Sequence, residues 1–233
     1  IFGAFLEKSG AGSFFMDLAT SLTGKWRGGP AKIAVFSSAL FGSISGSSVA
    51  NVVASGSFTI PMMKRVGFKN HHAGAIEAIS STGGQVMPPI MGAGVFILAT
   101  LTESDYLTIA AMNIIPAILF FTFIMLMVDL EAVKSGLKGL PAEEVPDFKT
   151  VIKKGWHFFI PLIVVITLLF NGFSPDYGAF WGIVSTLVLS WRNKETAMGP
   201  KDIFAGLIKG AQSNAAAGAA IGSLGIIIGG IIL

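Results

Sequence analysis

Ser43, Ser45, Ser47, Ser48 and Asn51 fall within nine positions, interleaved with Gly42 and Gly46. Their hydroxyl and amide oxygens, with main-chain carbonyls, are the ligand type hard cations take, and they supply it without a fixed charge. The alternative is that small residues only let helices approach closely, a reading that suits Ser37, Ser38 and Gly56. A second polar stretch follows at Ser81 to Gly94, STGGQVMPPIMGAG. Pro88 and Pro89 remove two helix donors and bias the preceding residues away from helix. The carbonyls near Gly83, Gly84 and Met87 are then free to face a cation. Gln85 either contacts a solute, orients the serine-rich stretch, or satisfies backbone freed by the prolines. Glu77 adds a lone carboxylate in an apolar segment, where an ionisable group marks coupling or a structural pair. Asp17 is a weaker case of the same kind. His71 and His72 have no third ligand at a useful spacing for a metal.

The elements that hold these residues are membrane helices. The chain is 52% hydrophobic with a mean hydropathy of +0.73. Only 12% of its residues are charged, against about 25% in an ordinary soluble domain. The net charge of +3 gives no case for nucleic acid, and without cysteine there is no disulfide framework or thiolate metal site. An opening without Met and an end inside an apolar run read as a piece of a longer protein.

At about 20 apolar residues per crossing, Phe2 to Thr23 reads as one span. Tyr106 to Val128 is another, and Trp156 to Phe170 and Tyr177 to Trp191 form a close pair. Asp202 to Leu233 begins a further helix broken by glycines. Trp156, Trp181, Trp191, Tyr106 and Tyr177 sit near span ends as interfacial anchors. Lys and Arg gather at 25–32, 64–69, 134–154 and 192–201 (Arg192, Lys194, Lys201), while Thr102 to Asp105 and Asn171 to Gly178 carry none. Basic ends read as cytoplasmic and bare turns as external. Ile33 to Met63 is uncharged for 31 residues between two basic clusters, so it enters and leaves on one face. That predicts a re-entrant hairpin over 31–66: a helix in at about Ile33 to Phe41, a tip near Ser43 to Ser48, and a helix out. Residues 72–102 form a crossing broken at Ser81 to Gly94. Broken helices at mid-membrane point to a transporter's binding site.

The stretches RGGPAKIAVFSSALFGSISGSS, FGSISGSSVANVVASGSFTIPMMKRVGF, EAISSTGGQVMPPIMGAG and DLEAVKSGLKGLPAEEVP resemble the large permease subunit of the tripartite ATP-independent periplasmic (TRAP) transporters. The Gly-Gly-Gln before the Pro pair and the DLEAV segment resemble the branch in which small and large membrane subunits are fused. Ile90 stands where the more usual large subunit has Ser. The resemblance implies an all-α, multi-span, elevator-type transporter with inverted repeats, of which this chain holds the first and the start of the second. The domains are then a first repeat at 1–130, with its last span at 106–128, a cytoplasmic connection at 131–155, and a truncated second half at 156–233.

The same resemblance implies uptake of small organic anions, carboxylates in particular, driven by a sodium gradient and delivered by a periplasmic binding protein. No enzymatic activity is implied, and no cofactor beyond Na⁺ as coupling ion. Substrate contacts then fall to Ser47, Ser48, Asn51 and Gln85. Sodium ligands fall to Ser45, Gly46, Gly83, Gly84 and Met87, with Glu77 in coupling. The partners are that binding protein, a small membrane subunit fused on the N-terminal side, and the lipid of a bacterial or archaeal inner membrane. Rival readings are an elevator-type transporter without a binding protein, a channel, or a membrane enzyme. A channel would need filter or charge rings, and an enzyme a nucleophile–base pair or metal motif. None of these appears in the sequence.

Overall fold

The computed structural model describes residues 1–192 and 197–232, so Lys194 of the last basic cluster lies outside the described residues. The described residues form helices and no strand. Eleven α-helices follow in order: α1 Phe2–Lys8, α2 Ala11–Thr23, α3 Gly29–Ser45, α4 Ser48–Arg65, α5 Asn70–Gly83, α6 Gly94–Thr102, α7 Tyr106–Lys134, α8 Phe148–Gly155, α9 Phe159–Phe170, α10 Pro175–Ser190 and α11 Pro200–Ile232. Among the described residues two stretches, Tyr106–Lys134 and Ala142–Phe170, are long and apolar enough to cross a bilayer. Met112, Ile115, Phe123, Met127 and Leu130 on α7 are all exposed.

The segment expected as one span at Phe2 to Thr23 is two helices. Gly10 turns the chain between them at φ 90°, a conformation open to glycine, and Ser9 Oγ donates to Leu6 O at 2.7 Å. Phe2, Leu6, Phe14, Phe15 and Leu18 then bury against Ile44 of α3 and Val165 of α9. The start of α9 is also irregular: Trp156–Phe158 is a 3-10 turn joining it to α8. The helix expected to be broken by glycines, α11, runs unbroken for 33 residues. Glycine weakens a helix by about 1 kcal/mol without a clash, whereas proline costs about 3.

The stretch expected as a re-entrant hairpin folds as two helices, α3 and α4. The arms α3 and α4 have 17 and 18 residues, about 26 Å each. The first arm begins at Gly29, ahead of the expected Ile33, and Lys32 is buried inside it, its Nζ donating to Asp129 Oδ1 at 2.5 Å. Non-helical backbone is confined to Gly46 and Ser47, with Gly46 at φ 62°.

The predicted cytoplasmic turns meet at one end of the bundle. Arg27 shares Asp129 with Lys32 at 2.9 Å, Leu140 N donates to Gly24 O at 2.8 Å, Arg65 pairs with Glu144, and His72 Nδ1 lies 3.1 Å from Glu131. Gly28 lies between Ala132 and Phe68 with no room for a Cβ. Beyond the predicted span, α7 continues through residue 134, so the connection begins later than 131.

Candidate functional site

The hairpin tip is fastened to the break between α5 and α6 by main chain. Ile90 N donates to Ser43 O at 3.1 Å. A Cβ on Gly46 would lie 2.1 Å from Met91 O, and one on Gly42 would lie 2.3 Å from Gly84 Cα. Those glycines are therefore backbone-to-backbone contacts. Within the break, Gly92 N donates to Gln85 O at 2.7 Å, closing a loop around the proline pair. Met91 sits at φ 57°, a left-handed conformation that a β-carbon makes unfavourable by about 1–2 kcal/mol. Tyr106, at the start of α7, directs its hydroxyl at Pro89 O (2.8 Å) and Ile90 O (2.5 Å), and its ring stacks on Phe96. Tip and break wall part of a largely apolar cleft of about 960 Å³, whose polar lining residues are Ser45, Ser47, Gln85 and Asn113 with the paired Glu7 and Lys209.

A second polar centre lies buried between α4 and α5. Glu77 is fully buried. Thr59 Oγ1 donates to its Oε2 at 2.5 Å, Ser55 Oγ donates to Oε1, and Ser81 Oγ donates to Oε1 at 3.3 Å. The three hydroxyls come from spacing: Ser55 and Thr59 are one helical turn apart on α4, as are Glu77 and Ser81 on α5. Gly56 leaves room for the carboxylate stem, its would-be Cβ lying 3.1 Å from Glu77 Cγ. No cation within ion-pair distance is found for Glu77 among the described residues.

From residue 1 to residue 233, the chain matches the family described as the tripartite ATP-independent periplasmic transporter, DctM component. The chain belongs to the TRAP transporter DctM family. Among similar TRAP proteins is the C4-dicarboxylate large permease DctM of Pseudomonas aeruginosa, 29% identical over 76% of this chain and 41% of that protein. The sialic acid permease SiaT of Haemophilus influenzae is 23% identical over 80% of this chain and 30% of its own length. The isethionate permease DctMQ of Oleidesulfovibrio alaskensis is 28% identical, over 78% and 29%. Each is a permease by name. The chain spans about four-tenths of the length of the first relatives it matches.

In this TRAP chain the residues expected at the site divide into two groups. Ser45, Gly46, Ser47, Ser48 and Gln85 come together, with Gln85 Nε2 donating to Ser48 Oγ at 3.3 Å. Ser47 Oγ is partly occupied as the cap of α4, accepting from Ala50 N at 3.3 Å. Asn51 faces inward instead. It is fully buried, its Nδ2 donating to Ser38 O at 3.0 Å, so it braces the hairpin. The carbonyls expected to be free at Gly83 and Gly84 each accept a turn hydrogen bond, from Val86 N at 3.1 Å and Met87 N at 3.3 Å. Chain reversal after a helix end recruits them, and one lone pair on each remains. Met87 packs on the core around Phe121 and Ile124. Tyr106, read as an interfacial anchor, is a brace of the break. Trp156, Trp181, Trp191 and Tyr177 are exposed. The sequence offered no signal for Tyr106, whose partner carbonyls are defined only once the chain folds.

Proposed function

We propose that this chain is the first half of the transport machinery of a sodium-driven secondary permease. It imports small organic anions, carboxylates in particular, handed over by a periplasmic binding protein. The observation that carries the reading is the main-chain docking of the Gly46–Ser47 tip on the Gln85–Gly92 break at the wall of a cleft that Ser45, Ser47 and Gln85 line. From the basic end of the bundle, α5 rises 14 residues, about 21 Å, before the break, and α6 adds nine, about 13 Å, beyond it. The break therefore falls within a hydrocarbon core of about 30 Å, where irregular backbone is tolerated only along a cavity.

Ser45 Oγ and the remaining carbonyl lone pairs of Gly46, Gly83 and Gly84 supply oxygens to Na⁺. Ser47, Ser48 and Gln85 present hydroxyl and amide donors to the anion. A second hairpin and break, contributed by the remainder of the protein as an inverted repeat, complete the site, and the repeat moves as an elevator against a fixed scaffold. The relatives named for C4-dicarboxylate, sialic acid and isethionate support an organic anion as cargo. The DctMQ relative supports a small membrane subunit fused to the large one. Basic loops at one end support an inner-membrane orientation with that end in the cytoplasm.

The test is uptake by the full-length permease in proteoliposomes with its binding protein. Saturable uptake that requires both an inward sodium gradient and the binding protein is expected. Uptake that persists without the binding protein points to the binding-protein-independent class, and non-saturating flux points to a channel. Either outcome overturns the reading.

A further inference from the structure

We propose that Glu77 is a proton-binding site, separate from the tip and reached from a lateral cavity through the hydroxyl of Ser55. The cavity, about 410 Å³, lies between α2 and the hairpin. Asp17, Glu7, Ser13, Ser37 and Ser55 are its polar lining. Ser55 faces both ways: it lines this cavity and its Oγ bonds Glu77 Oε1. The fully buried carboxyl therefore has one polar group between itself and the cavity.

The hydrogen bonding around Glu77 closes in either protonation state. With Glu77 ionised, Ser55, Thr59 and Ser81 all donate to it. With Glu77 protonated on Oε1, its O–H donates to Ser55 Oγ, while Thr59 goes on donating to Oε2. The Ser55 hydrogen then turns to Asn51 O at 2.8 Å. No buried donor or acceptor is stranded in either arrangement, the condition for a buried polar network to be tolerated. Asn51 in turn donates to Ser38 O, so the hydrogen-bond chain ends under the Gly42–Gly84 contact that holds the tip.

Proton entry balances without any further reactant. Hydronium gives a proton to Ser55 Oγ while the original Ser55 hydrogen passes to Glu77 Oε1; hydronium becomes water and the carboxylate a neutral acid. The charged groups on neighbouring elements are engaged elsewhere or distant. Lys32 on α3 binds Asp129 of α7, and His72 of α5 binds Glu131 of α7. Lys64 and Arg65 end α4, Lys134 ends α7, and His71 lies near the start of α5. Across the cavity Glu7 binds Lys209, and Asp17 feels Lys154. None of them forms an ion pair with Glu77.

The experiment uses the full-length permease in lipid, comparing wild type, Glu77→Gln, Glu77→Asp and Ser55→Ala. Infrared difference spectra over a pH series read the carbonyl stretch of a protonated carboxyl. A band that titrates in wild type, vanishes in Glu77→Gln and returns at a shifted pH in Glu77→Asp is expected. Ser55→Ala should slow its appearance after a pH jump. A band that is absent, insensitive to pH, or unchanged in Glu77→Gln overturns the proposal. Coupling of this proton to transport rests on the function proposed above. Wild-type uptake should vary about one decade per pH unit on the limb where a single proton binds, and Glu77→Gln should flatten it. An equally steep profile in Glu77→Gln overturns the coupling. If wild type transports nothing, the transport reading fails while the spectra still decide the proton site.

Discussion

The tip and the Glu77 cluster are two polar centres along the same helix pair, built from opposite materials. At the tip the contacts are main chain on main chain, made possible by the absence of side chains at Gly42, Gly46 and Gly84. At Glu77 the contacts are side chain on side chain, three hydroxyls on one carboxylate. The first centre opens on a cleft, and the second meets a cavity only through Ser55. The tip should therefore tolerate the loss of an oxygen and reject an added methyl. The Glu77 cluster should tolerate neither a lost donor nor an unpaired oxygen, because an unsatisfied buried polar group is costly.

The sharpest break of this contrast is Gly46→Ala. Its Cβ would meet Met91 O at 2.1 Å, on a backbone at φ +62°. Overpacking and left-handed strain together amount to about 3 kcal/mol, about a hundredfold in the docked population. Uptake in proteoliposomes should be nearly lost while membrane insertion persists. Gly74→Ala, where nothing lies within 4 Å and which is away from the cleft lining, is the matched control and should transport normally. Full activity in Gly46→Ala would mean that the tip does not rest on the break.

Next in size is Thr59→Val, which keeps shape and deletes one donor to a buried carboxylate. Hydrogen bonds to charged groups contribute about 1.5–3 kcal/mol, so the melting temperature in detergent should fall by several degrees. A variant as stable as wild type would show that the Glu77 cluster is not held by its hydroxyls, and the contrast would collapse from that side. Tyr106→Phe tests the tip side with a smaller loss. It removes one donor shared by Pro89 O and Ile90 O, about 1 kcal/mol. Uptake should drop about fivefold, with less change in melting temperature than Thr59→Val shows.

The two centres were unequally legible in the sequence. The hairpin and the break could be placed because the uncharged run, the basic flanks and the Pro pair are local signals. The tip was located to within a few residues for the same reason. Glu77 stood out as a charge in an apolar segment, yet its partners Ser55 and Thr59 did not. They lie in a run of small residues where only the packing of α4 on α5 tells a ligand from a spacer. The inward turn of Asn51 was equally hidden, since its side chain can turn toward the tip or into the hairpin and no periodicity separates the two. The split at Gly10 was available in the stretch SGAG and passed over because apolar length dominated the reading. The unbroken α11 shows the converse: many glycines in a sequence do not define a break without a proline or a partner that claims the freed backbone.

The smallest expected effect is the most specific to the cleft. Gln85 Nε2 and Ser48 Oγ are 3.3 Å apart, and Gln85 is exposed. An exposed neutral pair of this length contributes under about 1 kcal/mol. Neither Ser48→Ala nor Gln85→Ala should then shift the melting temperature measurably. Their consequence should appear in transport instead, because Gln85 lines the cleft assigned to the anion and Ser48 bonds Gln85. Each single variant should raise the substrate concentration for half-maximal uptake a few-fold, with the maximal rate little changed. The double variant should exceed neither by much if one bound anion engages the two groups as a unit, since groups sharing a partner are not additive. Fully additive losses would mean that Ser48 and Gln85 act separately. Unchanged half-saturation in all three variants would remove both from the anion site and leave the tip as a main-chain structure alone.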